Sequence, residues 1–141
     1  MNVRHIGITV TDIEESISFY RDVLGFEVVR VMEESGQHID NFSSLSNVRV
    51  QTVKMRDEGG GMIELLKYYS HPEVANLDDI TRIGCSHLAL TVKNLDFLLD
   101  KILQRGYTVN CEPQLSPDGN VKLTFCKGPD DVLLELVEEL G

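Results

Sequence analysis

His5-Ile6-Gly7-Ile8-Thr9-Val10-Thr11-Asp12-Ile13 returns 82 positions later (87 − 5) as His87-Leu88-Ala89-Leu90-Thr91-Val92-Lys93-Asn94-Leu95. Both stretches alternate. Ile6, Ile8 and Val10 face one way, and His5, Gly7 and Thr9 the other. Leu88, Leu90 and Val92 repeat the first set; His87, Ala89 and Thr91 repeat the second. Strict alternation is the pattern of a β-strand with one buried apolar face. The opposite face is small or polar, with a histidine at its head. A turn-and-helix signal follows each copy, so the chain reads as a duplicated unit with two equivalent histidines.

Working outward, Val3 to Val10 is expected as the first strand. Thr11-Asp12-Ile13-Glu14 has the form of a capping box with Thr11 as the cap. Ile13, Ile17, Tyr20, Val23 and Leu24 follow a helical period, and Gly25 suits a left-handed helix end. Phe26 to Met32 reads as a second strand, with Phe26, Val28 and Arg30 on one face and Val29 and Val31 opposite. Glu33 to Asn47 reads as a long polar loop, with at most a short helix around Ile39 to Leu45. Val48 to Met55 alternates again, Asp57 to Gly61 is a turn, and Met62 to Tyr69 is the last strand of the half. In that strand Glu64, Leu66 and Tyr68 share a face. A carboxylate between Ile63 and Leu65 needs solvent or a partner.

A polar stretch with Pro72, residues 70–82, links this module (1–69) to a second (83–141). The second repeats the order. Gly84 to Val92 is a strand, and Asn94 caps a helix with Leu95, Leu98, Leu99, Ile102 and Leu103 on its apolar stripe. Gly106 ends that helix. Tyr107 to Cys111 is a short strand, followed by a turn-rich loop around Pro113, Pro117, Asp118 and Gly119. Val121 to Cys126 and Val132 to Glu138 are strands, with Leu133, Glu135 and Val137 on one face. Ile63-Glu64-Leu65-Leu66 closes the first half as Leu134-Glu135-Leu136-Val137 closes the second. Each half is therefore β-α-β-β-β, beginning with a His strand and ending with a Glu strand. The fold class expected is α+β, with paired βαβββ modules forming a curled mixed sheet around a cleft.

The chain has 141 residues, 42% of them hydrophobic, enough for one domain with a real core. Its formal charge of −10 argues against nucleic acid or an anionic membrane as partner. Cys85, Cys111 and Cys126 form no Cys-x-x-Cys and are expected as buried free thiols. With no apolar run long enough to span a bilayer, a cytoplasmic setting is expected. His38 and His71 read as surface histidines.

His5, Glu64, His87 and Glu135 recur at matching places, and the helix-free sheet faces carry all four. Two imidazoles and two carboxylates suit one divalent first-row metal ion, with nickel, cobalt, zinc, manganese and iron all eligible. Such an ion polarises a carbonyl or hydroxyl oxygen and stabilises an enediolate, while a glutamate acts as base on the adjacent carbon. A set of His5, His87 and Glu135 alone would suit iron-dependent oxygen chemistry instead. The plainest alternative is four strand-end polar residues on a solvated face.

The whole pattern resembles the vicinal oxygen chelate superfamily, the glyoxalase / bleomycin-resistance / dioxygenase group. The carriers are His5 to Val10, Phe19-Tyr20-Arg21-Asp22-Val23-Leu24-Gly25-Phe26, Ile63 to Leu66, His87 to Val92, Gly128-Pro129-Asp130 and Leu133 to Val137. The resemblance implies a His, Glu, His, Glu ligand set at His5, Glu64, His87 and Glu135. It makes Glu135 the better candidate for the mobile base, with Glu64 the other. It also implies a homodimer. The reaction implied is that of a glyoxalase I-like lyase or isomerase, moving a proton on a small substrate with vicinal oxygens. An iron-dependent dioxygenase and a metal-free small-molecule binding protein of the bleomycin-resistance kind are the alternatives. Thr9, Leu66, Tyr68 and Thr91 are the expected substrate-lining residues. Bacterial glyoxalase I carries an Arg four residues after the first ligand and an Asn four after the second, both helping to hold glutathione; Thr9 and Tyr68 stand at those places here.

Overall fold

The computed structural model describes residues 1–74 and 79–141, and the chain divides into two compact units, Met1–Val74 and Ala75–Gly141. Of the linker expected over residues 70–82, residues 75–78 lie outside the described residues. The fold class is α+β, with two mixed sheets of four and five strands.

In the first unit β1 (Ile6–Thr9), β2 (Glu27–Ser35), β3 (Arg49–Arg56) and β4 (Met62–Tyr68) form a sheet in the order β1-β4-β3-β2. β1 runs parallel to β4 and the other pairs are antiparallel. β1 needs a crossover to lie parallel to a later strand. Its continuation is helix α1 (Ile13–Ser18), prolonged by a wider π turn over Phe19–Val23. Ile13, Ile17, Tyr20 and Val23 are buried on this helical segment. They share the core with Ile8, Val10, Val53, Met55, Ile63 and Leu65 of the sheet, each contributing about 2 kcal/mol by burial. Phe19, Tyr20 and Phe26 meet edge to face, at 5.3 Å and 6.0 Å between ring centres. Gly25, at φ 82°, turns the chain into β2 in a conformation that favours glycine.

Three expectations for this unit change. The helix cap is Asp12 rather than Thr11: the Glu15 N–H donates to its carboxylate at 3.0 Å. The stretch Glu33 to Asn47 is not a long loop, because β2 runs on to Ser35 and α2 (Gln37–Ser43) follows. Asp40 closes that excursion by accepting the N–H groups of Asn47 and Val48. A bulge between Val28 and Arg30 also shifts the register of β2. Val28 lies opposite Met55 and Val31 opposite Val53, so these two share the face of Met55 and Val53. Arg30 lies opposite Lys54, on the face that carries Glu64. One inserted residue reverses strand parity, which simple alternation cannot anticipate.

In the second unit β5 (Leu88–Thr91), β6 (Thr108–Val109), β7 (Gln114–Leu115), β8 (Val121–Lys127) and β9 (Leu133–Glu139) form a sheet in the order β5-β9-β8-β6, with β7 also on β8. β7 lies inside the expected turn-rich loop. Helix α3 (Leu95–Gln104) begins at Asn94, whose side chain accepts the Phe97 N–H at 3.1 Å, and ends before Gly106 at φ 84°. Leu95, Leu99 and Ile102 are buried, together with Cys126, Leu134 and Leu136 of the sheet. Leu103, expected on the buried stripe, is exposed. Cys85 and Cys111 are also exposed, leaving Cys126 as the one buried thiol of the three.

Candidate functional site

In each unit the strand register fixes what stands on the face that carries the glutamate; in the first unit α2 packs over the end of that face at Leu66 and Tyr68. In the first unit Gly7 pairs with Glu64 and Glu64 with Lys54; the next row joins Thr9, Leu66 and Thr52. In the second unit Ala89 pairs with Glu135 and Glu135 with Phe125; the next row joins Thr91, Val137 and Leu123. The duplication seen in sequence is thus a duplication of register.

His5 sits just ahead of β1 and His87 just ahead of β5. His5 Nε2 lies 3.7 Å from Glu64 Oε1, and His87 Nε2 lies 3.2 Å from Glu135 Oε2. The glutamate side chains are 14% and 23% exposed, sheltered but open to a ligand. Each unit therefore gathers one imidazole nitrogen and one carboxylate oxygen. The structure brings His5 to Glu64 and His87 to Glu135. Among the described residues no group of three or more His, Cys, Asp or Glu side chains is gathered. The donor chemistry of both pairs fits a divalent ion: nitrogen and carboxylate oxygen are what nickel, zinc, manganese, cobalt or iron accept.

The two pairs differ in what surrounds them. Lys54 Nζ stands 3.7 Å from Glu64 Oε2, so Glu64 has a cation on its second oxygen. Glu135 has instead Phe125 across the strand, and that ring meets His87 edge to face at 5.4 Å. Ser86 Oγ is 2.8 Å from His87 Nδ1, so the far ring nitrogen is held and Nε2 is presented to Glu135. Lys54, Phe125 and Ser86 were not singled out in the sequence. Lys54 and Phe125 each precede their glutamate by ten positions (64 − 54 and 135 − 125), a spacing that a hairpin register would have exposed.

Of the expected lining residues, Thr9 and Thr91 are exposed on these faces. Leu66 and Tyr68 are half-buried, packed against Ile39, Val48 and Val50. Tyr68 is thus tied into the small core under α2.

The family model described as the Glyoxalase/Bleomycin resistance protein/Dioxygenase superfamily matches residues 2–136. The chain belongs to this superfamily. A lactoylglutathione lyase of Shigella flexneri is 30% identical over 139 residues, covering 99% of this chain and 93% of that protein. A probable lactoylglutathione lyase of Synechocystis is 27% identical, with 98% and 95% covered. Among solved structures, a glyoxalase family protein of Bacillus cereus superposes with a TM-score of 0.92 at 21% identity, covering 100% of this chain and 95% of that one. A trypanothione-dependent glyoxalase I of Leishmania major gives 0.69 at 22% identity, with 99% and 87% covered. Both structural likenesses are likenesses of fold. No helix among the described residues is long and apolar enough to cross a membrane.

Proposed function

We propose that the chain is a metal-dependent lyase or isomerase of the glyoxalase type, acting on a small molecule with vicinal oxygens. The observation that carries this reading is the repeated His–Glu pair, one per unit, at equivalent positions in register. In the proposal His5, Glu64, His87 and Glu135 together hold one divalent ion, within one chain or across a homodimer in the cytoplasm. A divalent ion held there would polarise the substrate's oxygens and carry the negative charge that develops on them.

The protein's own part is proton transfer. Glu135 takes a proton from the carbon beside one oxygen, leaving the substrate as an enediolate, and returns it to the neighbouring carbon. Glu135 suits this role because no lysine stands across from it, whereas Lys54 keeps Glu64 in place. His87, held by Ser86, fixes the direction from which Glu135 approaches. Thr9 and Thr91 line the substrate's path with hydroxyls. The relatives that are lactoylglutathione lyases support the reaction type. Thr9 and Tyr68, at the places of the glutathione-holding Arg and Asn, favour a substrate other than a glutathione adduct.

Elemental analysis of untagged protein purified without chelators tests the reading, beside a Glu64→Gln/Glu135→Gln double variant. About one transition-metal ion per site, lost in the double variant, is expected. Protein that takes up none of nickel, cobalt, zinc, manganese or iron overturns it. A metal-free binding protein is the second reading, favoured by one observation: Lys54 already offsets the charge of Glu64. Undiminished ligand binding in a His5→Ala/His87→Ala variant would select it.

A further inference from the structure

The row of the first sheet that carries Glu64 continues outward as Glu64, Lys54, Arg30. Lys54 and Arg30 are direct cross-strand partners, so their side chains rise from the same face with Cβ atoms about 5 Å apart. Like charges in that arrangement destabilise a sheet. Two residues further along β3, Arg56 stands opposite Glu27, the usual pairing of opposite signs. The bulge between Val28 and Arg30 creates the anomaly, because it turns Arg30 onto the Glu64 face.

Among the described residues neither cation is hydrogen-bonded to a protein group: Lys54 has only its longer-range ion pair with Glu64. Lys54 is 23% exposed, and its approach to Glu64, at 3.7 Å, is longer than a hydrogen bond. Among the described residues it has no other partner, and Arg30 has none at all. The equivalent row of the second unit, Ala89, Glu135 and Phe125, holds no cation. A sheltered ammonium whose one partner, Glu64, is beyond hydrogen-bond distance and an exposed guanidinium on the same row form a receptor for an anion.

We infer that Lys54 and Arg30 form an anion subsite and that the substrate carries a carboxylate or phosphate close to its vicinal oxygens. This inference rests on the reading of the Glu64 face as the reaction site, and it narrows the substrate to a compact anionic molecule. Lys54 grips the anionic group beside Glu64, and Arg30 closes on it from the outer strand.

The test is a titration of the full chain followed by backbone amide NMR, with pyruvate, uncharged pyruvamide and inorganic phosphate as probes. Wild type is compared with Lys54→Met, Arg30→Met and Lys54→Arg. Methionine keeps the apolar stem and removes the charge. Saturable pyruvate shifts along β2 and β3, absent with pyruvamide, are expected. Each methionine variant should weaken binding about tenfold, and Lys54→Arg should retain most of it. Displacement of pyruvate by phosphate would assign the subsite to anions in general; failure to displace would confine it to carboxylates. Equal binding of pyruvamide, unchanged affinity in both methionine variants, or no saturable anion binding overturns the inference. Nickel uptake measured on the same samples separates the two proposals. Nickel binding without anion discrimination sinks the subsite alone. Anion discrimination with no uptake of any metal sinks the metal site alone.

Discussion

Lys54 and Phe125 occupy the same position in the two units, each directly across the strand pair from its unit's glutamate. The duplication therefore sets identical His–Glu pairs in opposite surroundings, one beside an ammonium and one beside an aromatic ring. Exchanging the two should separate their effects. Phe125→Lys places an ammonium against Glu135, ties the carboxylate in an ion pair and should lower kcat at least about tenfold. Lys54→Phe leaves Glu135 untouched and should act mainly on KM. Steady-state kinetics on the two variants, with metal content measured alongside, distinguishes these outcomes.

Much of this arrangement was legible in the chain. The alternation of Ile6, Ile8 and Val10, and of Leu88, Leu90 and Val92, located both edge strands and the faces carrying Glu64 and Glu135. What escaped depended on contacts distant in sequence. The bulge after Val28 has no compositional mark, so Arg30 was placed with Val28, whereas it shares a face with Glu64. Asp12 and Thr11 are both good capping residues, and only the backbone geometry selects Asp12. Cys85 and Cys111 neighbour apolar residues in sequence yet stand outside the core, because local hydrophobicity does not report which side of the chain is covered.

Ser86 is expected to matter although it touches no substrate. Its hydroxyl lies 2.8 Å from His87 Nδ1, leaving Nε2 directed at Glu135. Outer partners of this kind orient a histidine ligand and tune its basicity. Ser86→Ala should weaken metal affinity about tenfold with little change in thermal stability. Competition with a chromophoric chelator measures the first, and a melting curve the second.

The two helix caps make a matched pair for stability. Asp12 accepts the Glu15 N–H at 3.0 Å and Asn94 accepts the Phe97 N–H at 3.1 Å. Both use the same side chain-to-backbone bond at the start of the helix that packs on its unit's sheet. Asp12→Ala and Asn94→Ala should each cost about 1 kcal/mol. Urea unfolding gives the values. A cost near zero at Asp12 would remove it as the cap of α1.

Cys126 provides a chemical and a pH readout of the second unit's core. Its side chain is fully buried between strands, and burial pushes the thiol up to about 12 from an ordinary value of 9.0. In native protein at pH 8, a disulfide thiol reagent should therefore titrate Cys85 and Cys111 and leave Cys126 unreacted until the chain is unfolded. The same shift has a sign in stability. Above pH 9 the unfolded thiol loses its proton while the folded one keeps it. The unfolded state then binds fewer protons, and stability falls as pH rises, by at most about 1.4 kcal/mol per pH unit for this one group. Cys126→Ala removes the thiol and should show a shallower decline between pH 8 and 10, from a lower starting stability because of the cavity left behind. Parallel declines in the two proteins would mean that the buried thiol keeps no such hold on its proton.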